Sequence, residues 1–172
     1  MYKEIIAEVA QGYEGDPKLA ELLALGAVRS GADAVKFQLV IADELAVPTY
    51  EYYGLFKSLE MKISVWEQIK ELIRKENKKL YFDIYGDLSL ELAEQLKSSG
   101  VKISTSDFYN KSLIKKAIAT FDKVFISIGG VPAEELDELV FYFNMLTGEK
   151  QWMKPHCFQD VMEEPVTDEG KM

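Results

Sequence analysis

The sequence has one cysteine, Cys157, and one histidine, His156. A lone cysteine excludes a disulfide within the chain and points to a reducing compartment. A lone histidine excludes a two-histidine metal site built from this chain by itself. No apolar run approaches the ~20 residues of a membrane-spanning helix. The opening residues 1–12 lack the apolar stretch and small-residue cleavage site of a signal peptide. The cytoplasm is therefore the expected location, with no membrane partner. Positive charge is in deficit, with 20 Lys and Arg against 29 Asp and Glu and a formal net charge of -9. That balance argues against a nucleic-acid partner, which needs clustered Lys and Arg. It leaves room for a small anionic substrate, because a few buried lysines can hold one inside an acidic protein. Linkers and low-complexity stretches are also missing, so the 172 residues read as one domain over 1–162 with a polar tail over 163–172.

What the chain does have is alternation of strand-like and helix-like stretches. The first strand reads Glu4–Val9. Asp16 followed by Pro17 predicts an N-cap with proline at the first helical position, and Gly31 predicts the stop. Strands follow at Ala34–Gln38, Leu80–Ile84, Val101–Ser104 and Lys123–Ile128, and a weaker sixth at Trp152–Cys157. Helices are expected from Ser64, with Glu67 completing a capping box, to about Asn77. Others are expected over Leu88–Ser99, ended by Gly100, over Ser112–Thr120, and from Pro132 to Asn144. The connection Leu39–Lys62 is long enough to be functional or to carry a small extra helix. Its Tyr50, Tyr52 and Tyr53 suit a sugar site or simple loop packing.

Six βα units imply a parallel sheet with right-handed crossovers. Two architectures fit. An open doubly wound sheet is complete with five or six strands, whereas a (β/α)8 barrel needs eight and typically ~250 residues.

In either, the site lies at the carboxyl ends of the strands. The polar residues there are Glu8, Lys36, Gln38, Asp83, Lys102, Thr105, Asp107, Ser127, His156 and Gln159. Lysine inside a short apolar strand is the unusual feature, because both faces of a parallel strand are normally buried. A buried lysine must be paired or bind an anion. Lys36 could pair with Glu8 on the neighbouring strand or serve a ligand. Lys102 repeats the arrangement two strands on, and two inward lysines favour an anion site. Thr105 and Ser106 suit hydrogen bonding to phosphate or local capping. Ser127-Ile128-Gly129-Gly130 suits a phosphate at a helix N-terminus or a plain turn. His156 and Cys157 read as structural.

These residues carry a resemblance. Ile6-Ala7-Glu8-Val9-Ala10-Gln11 and Gly31-Ala32-Asp33-Ala34-Val35-Lys36-Phe37-Gln38 resemble the opening of the N-acetylneuraminate (sialic acid) synthases. That family includes synthases of related nonulosonic acids and spore-coat polysaccharide proteins. Lys102-Ile103-Ser104-Thr105-Ser106-Asp107, Phe125-Ile126-Ser127-Ile128-Gly129 and His156-Cys157-Phe158-Gln159 are similar to its later segments. The resemblance implies an α/β chain folded as an incomplete (β/α)8 TIM-type barrel of about six βα units, without the last two. It implies a transferase of carbohydrate biosynthesis that condenses phosphoenolpyruvate with N-acetylmannosamine or a related amino-sugar. Lys36 and Lys102 would hold the phosphoenolpyruvate carboxylate or phosphate. Thr105 and Ser127 would donate hydrogen bonds to it, and Gln38 and Gln159 would touch substrate. Glu8 and Asp107 would act as acid/base or orienting groups.

The resemblance also implies a divalent metal, manganese or magnesium, whose histidine ligands come from the family's seventh and eighth strands. Those ligands are not in this chain, so the chain alone is expected not to be a competent synthase. This sequence departs from the family at Gly12-Tyr13, at Phe82-Asp83-Ile84 on the third strand, at Ile128 and at Asp160–Glu163, and Asp107 replaces a glutamate. Those departures suit a second reading, a non-catalytic member acting as a binding or assembly module. A partial barrel exposes sheet edges and apolar helix faces, so a homo-oligomer, or a partner supplying strands, is expected to cover them. A different phosphoenolpyruvate-using barrel, of the 3-deoxy-heptulosonate phosphate synthase type, matches these blocks less well.

Overall fold

The computed structural model describes residues 4–132 and 134–138. The chain divides into two units between Ser127 and Ile128. The first holds five parallel strands: β1 (Ile6–Ala10), β2 (Ala34–Gln38), β3 (Lys79–Ile84), β4 (Gly100–Ile103) and β5 (Val124–Ile126). Its helices are α1 (Pro17–Arg29), α2 (Ala42–Leu45), α3 (Tyr53–Leu59), α4 (Ile63–Lys75), α5 (Asp87–Gln95) and α6 (Lys111–Thr120). The second unit contributes a turn, closed by the Val131 N–H donating to the Ile128 carbonyl at 3.1 Å, and helical residues 134–138. The expected sixth strand, Gln159 and the 163–172 tail lie outside the described residues.

The strands stand in chain order, β1-β2-β3-β4-β5. A doubly wound sheet reverses direction at a switch point. Consecutive order has no reversal, so right-handed crossovers place every helix on the same side. That is barrel winding, and it excludes the open doubly wound alternative. One ion pair shows that the sheet also curls. Glu4, just before β1, pairs with Lys123, just before β5. In a flat sheet at about 4.8 Å per strand, the two would start about 19 Å apart, beyond the reach of these side chains.

Strand alternation sorts the residues of the two faces. Val35, Phe37, Leu80, Phe82, Ile84, Val101 and Ile103 are buried. Phe37 and Phe82 meet Trp66 of α4 edge-on at 5.5 and 5.3 Å, and Tyr13 closes on Trp66 at 5.3 Å. The core therefore sits between sheet and helices. The opposite face carries Glu8, Lys36, Tyr81, Asp83, Lys102 and Phe125, which the register sets beside one another.

Local signals explain most boundaries. The Asp16 carboxylate accepts from the Lys18 and Leu19 N–H groups and caps α1, with Pro17 in its first turn. Gly31 follows the end of α1 at φ +88°. β5 is half as long as expected, Val124–Ile126 rather than Lys123–Ile128, and two boundary signals act differently from expectation. Ser64 does not cap α4, because the helix starts at Ile63 behind Lys62 and Ser64 already lies in the first turn. Gly100 does not end α5. The helix stops at Gln95, Lys97 takes the left-handed position at φ +52°, and Gly100 begins β4. Glycine is required there for space, since a Cβ would sit 2.4 Å from the carbonyl oxygen of Lys123, just before β5.

The long connection carries α2 and α3, as its length predicts. Its tyrosines pack locally: Tyr50 stacks on Phe56 at 6.2 Å, and the Tyr53 hydroxyl donates to Asp43 at 2.5 Å. Glu44 of α2 accepts from the Leu88 and Ser89 N–H groups and covers the start of α5. Among the described residues, no helix is long and apolar enough to cross a membrane.

Candidate functional site

The polar face of the sheet holds two layers. The deeper one lies at the amino ends of the strands and was missed by sequence reasoning. There Glu4 accepts from Lys79 at 2.7 Å and from the buried Tyr81 hydroxyl at 3.0 Å, and it pairs with Lys123. The Lys123 ammonium also stands 5.4 Å above the Tyr81 ring and 5.2 Å above Phe125. Tyr81 and Phe125 meet edge-on at 5.3 Å and floor the upper layer. Burial raises the Glu4 carboxyl, but its three donors outweigh burial and hold it below the usual carboxylate range.

The upper layer lies at the carboxyl ends. Lys36 pairs with Glu8, as the sequence allows, and donates to Asp83 Oδ1 at 2.6 Å. Lys102 donates to the other oxygen of the same carboxylate, Asp83 Oδ2, at 2.9 Å. Two ammonium groups from β2 and β4 thus grip one carboxylate from the strand between them. The Asp83 side chain is 2% exposed, Lys36 9% and Lys102 15%, whereas Glu8 is 46% exposed. Burial lowers the Lys36 ammonium, but Asp83 and Glu8 more than reverse this and hold it above the ordinary lysine range. Lys36 therefore stays charged and is no amine nucleophile at neutral pH. Glu8, Lys36, Asp83 and Lys102 sum to zero charge.

Around this clamp the backbone is distorted. The β1–β2 register slips between Glu8 and Ala10, and Ala10 sits at φ +52°. Glu8 Oε1 accepts the Ala10 N–H at 2.9 Å and holds the kink. Beyond β4 and β5, the Thr105 and Ser127 hydroxyls hydrogen-bond each other at 2.6 Å. Thr105 is exposed and Ser127 buried, so the pair opens to solvent from one side. Asp107 closes the short 3-10 turn Thr105–Asp107, where it accepts from Ser106 at 2.9 Å. The Gln38 carbonyl accepts from the buried Tyr13 hydroxyl at 3.0 Å.

The structure therefore joins Glu8, Lys36 and Lys102 through Asp83 in one network, and Thr105 with Ser127 in another. It gives Gln38 a backbone role and Asp107 a local one, and Gln159 lies outside the described residues. Tyr85, absent from the expected site, belongs beside it. Burial raises its phenol, and Asp83, Tyr13, Glu8 and Asp107 add to that. Its signal in the sequence was faint, since a tyrosine one residue past a strand has many uses.

A divalent metal does not fit the described residues. No group of three His, Cys, Asp or Glu among them could hold one. Both oxygens of Asp83, the most buried carboxylate of the upper layer, accept from lysines.

The NeuB family matches residues 24–160 of the chain. An uncharacterised protein of Methanocaldococcus jannaschii is 30% identical over 137 residues, which are 79% of this chain and 40% of that protein. The N,N'-diacetyllegionaminic acid synthase of Legionella pneumophila is 35% identical over 106 residues, 60% of this chain and 29% of the synthase. Among solved structures, an N-acetylneuraminic acid (sialic acid) synthetase from Leptospira borgpetersenii, in complex with citrate, superposes with a TM-score of 0.76 at 25% identity. The match covers 83% of this chain and 51% of that one. A spore coat polysaccharide biosynthesis protein of Bacillus subtilis superposes with a TM-score of 0.66 at 25% identity, over 78% of this chain and 38% of its own. The chain spans about half or less of the length of these relatives.

Proposed function

The chain belongs to the NeuB family, and from that premise we propose that its strand ends form the anion-binding part of a phosphoenolpyruvate site of the nonulosonic acid synthase type. The observation that carries this reading is the clamp. Lys36 and Lys102 stand 2.6 and 2.9 Å from the two oxygens of a single carboxylate. Two ammonium groups spaced to bind both oxygens of one carboxylate suit a small carboxylate or phosphate equally well. The Leptospira relative is a complex with citrate, a small polycarboxylate, which belongs to that ligand class.

In this reading Lys36 and Lys102 bind the phosphoenolpyruvate carboxylate or phosphate and neutralise charge as it develops. Thr105 and Ser127 exchange their mutual hydrogen bond for donation to the same anion. Glu8, half-exposed and hydrogen-bonded to the Ala10 N–H, and Asp107 on its turn orient water or move a proton. The amino-sugar would enter from the solvent side, above Thr105. The family's divalent metal finds no ligand set among the described residues, so no step is assigned to it.

The test is a titration of the full chain with phosphoenolpyruvate, followed by nuclear magnetic resonance. Shifts are expected at Lys36, Lys102, Thr105 and Ser127, and Lys102→Met should weaken binding about tenfold or more. Binding that survives both Lys36→Met and Lys102→Met undiminished would refute the reading. A second reading, a non-catalytic binding or assembly module, is favoured by Asp83, which leaves the site with no net charge.

A further inference from the structure

In the clamp the chain supplies its own anion. Asp83 comes from β3, between the strands that carry the two lysines; the parallel register sets it beside Lys102 on β4, and Lys36, two residues before its register partner Gln38 on β2, reaches it diagonally. Its carboxylate is 2% exposed, and each oxygen accepts from a different lysine. A carboxylate held this way occupies the position a ligand carboxylate or phosphoryl group would take. The chain repeats this at the start of α5, where Glu44 covers the N–H groups of Leu88 and Ser89. That second contact is ordinary capping and carries no argument by itself.

We infer that Asp83 is a resident competitor that sets the anion affinity of the two-lysine clamp: a free anion binds there only by displacing the Asp83 carboxylate. The reason is electrostatic. With Asp83 in place, the lysines face two carboxylates and the site is neutral. Without it, the same lysines face Glu8 alone and the site carries one positive charge. A unit charge within about 5 Å, at the effective dielectric of a partly buried site, shifts affinity by more than an order of magnitude. Displacement is costly, because the freed carboxylate gives up two ammonium partners at 2.6 and 2.9 Å. Lys36 and Lys102 are its two salt-bridge partners among the described residues. Asp83 is thus a specificity-determining residue. It makes the native chain a weak binder of small dianions and leaves the clamp geometry intact for them.

The inference rests on the reading of Lys36 and Lys102 as an anion site, and the experiment separates the two. Inorganic phosphate and phosphoenolpyruvate are titrated calorimetrically into the native 172-residue chain, Asp83→Ser, Asp83→Asn and Asp83→Ser/Lys102→Met. Asp83→Ser is expected to bind both anions at least tenfold more tightly than the native chain, and the double variant to lose the gain. Loss of structure cannot mimic a gain of affinity. If Asp83→Ser does not fold, Asp83→Asn keeps the volume, removes the charge and carries the same comparison. Equal, lysine-dependent affinity in the native chain and the Asp83 variants overturns the inference and leaves the anion site standing. Absence of lysine-dependent binding in every folded variant overturns both.

Discussion

Glu4, just before β1, and Lys36, on β2, are largely buried charged residues, and each is held by its partners against the cost of burial. Their pH effects have opposite signs. The Glu4 carboxyl is lowered from its ordinary 4.5, so its stabilisation is fully present above pH 4.5. It is lost as pH falls through the lower folded value. The Lys36 ammonium is raised from its ordinary 10.5. Its stabilisation is complete below pH 10.5 and is lost as pH rises through the higher folded value. In urea unfolding followed from pH 2 to 7, Glu4→Gln is expected to lose about 2 kcal/mol at neutral pH. It should also show a flatter acid limb than the native chain. An unchanged acid limb would remove Glu4 from the account. At this scale the sequence was half legible. A lysine in a short apolar strand announces a partner or a ligand, and Glu8 could be named from adjacency. The Asp83 bridge could not, because it depends on which residues the register places side by side across β2, β3 and β4. The Glu4 layer was less visible still, since its partner Lys123 lies 119 positions away.

Elements were legible where one side chain sets the boundary and illegible where space does. The Asp16-Pro17 start of α1 is a matter of hydrogen-bond chemistry, and the sequence states it. The Gly100 position answers to the approach of the β5 backbone, which only the assembled sheet reveals. Gly15 is a sharper case. It sits at φ +74° and a Cβ there would lie 2.1 Å from the Ser58 carbonyl oxygen at the end of α3. Gly15→Ala therefore combines a left-handed backbone with a backbone clash, and neither can be relieved by turning a flexible side chain. It is expected to cost about 2–4 kcal/mol, read as a lower urea midpoint at unchanged m-value. A cost below 0.5 kcal/mol would mean that the loop before α1 and the end of α3 move apart freely. The same close approach anchors the long connection to the first βα loop, which frames the clamp beside Glu8.

At the scale of the whole molecule, βα alternation was readable from periodicity, and it gave the parallel winding. The strand order then separated barrel from doubly wound sheet, a distinction that spacing along the chain does not contain. The proposed ligand class starts from family membership, while Asp83 makes the charge of the strand ends unlike that of a free anion receptor. The full chain, incubated with manganese, phosphoenolpyruvate and N-acetylmannosamine, is expected to release phosphate no faster than a blank without protein, because the described residues offer no metal ligand set and Asp83 competes for the clamp lysines. Release at several times the blank rate, abolished by Lys102→Met, would show instead that the substrate displaces Asp83 unaided and that the catalytic reading holds for this chain.

The Glu4–Lys123 pair has a consequence for how the protein is made. Neighbours in chain order are neighbours in the sheet, so each βα unit can dock on the previous one as it leaves the ribosome. The tie between the first and fifth strands cannot form in that way. Its two ends are 119 residues apart, which at roughly 5–20 residues per second separates their synthesis by on the order of ten seconds. Until Lys123 is made, the nascent sheet lacks this tie between the residues that lead into its first and fifth strands.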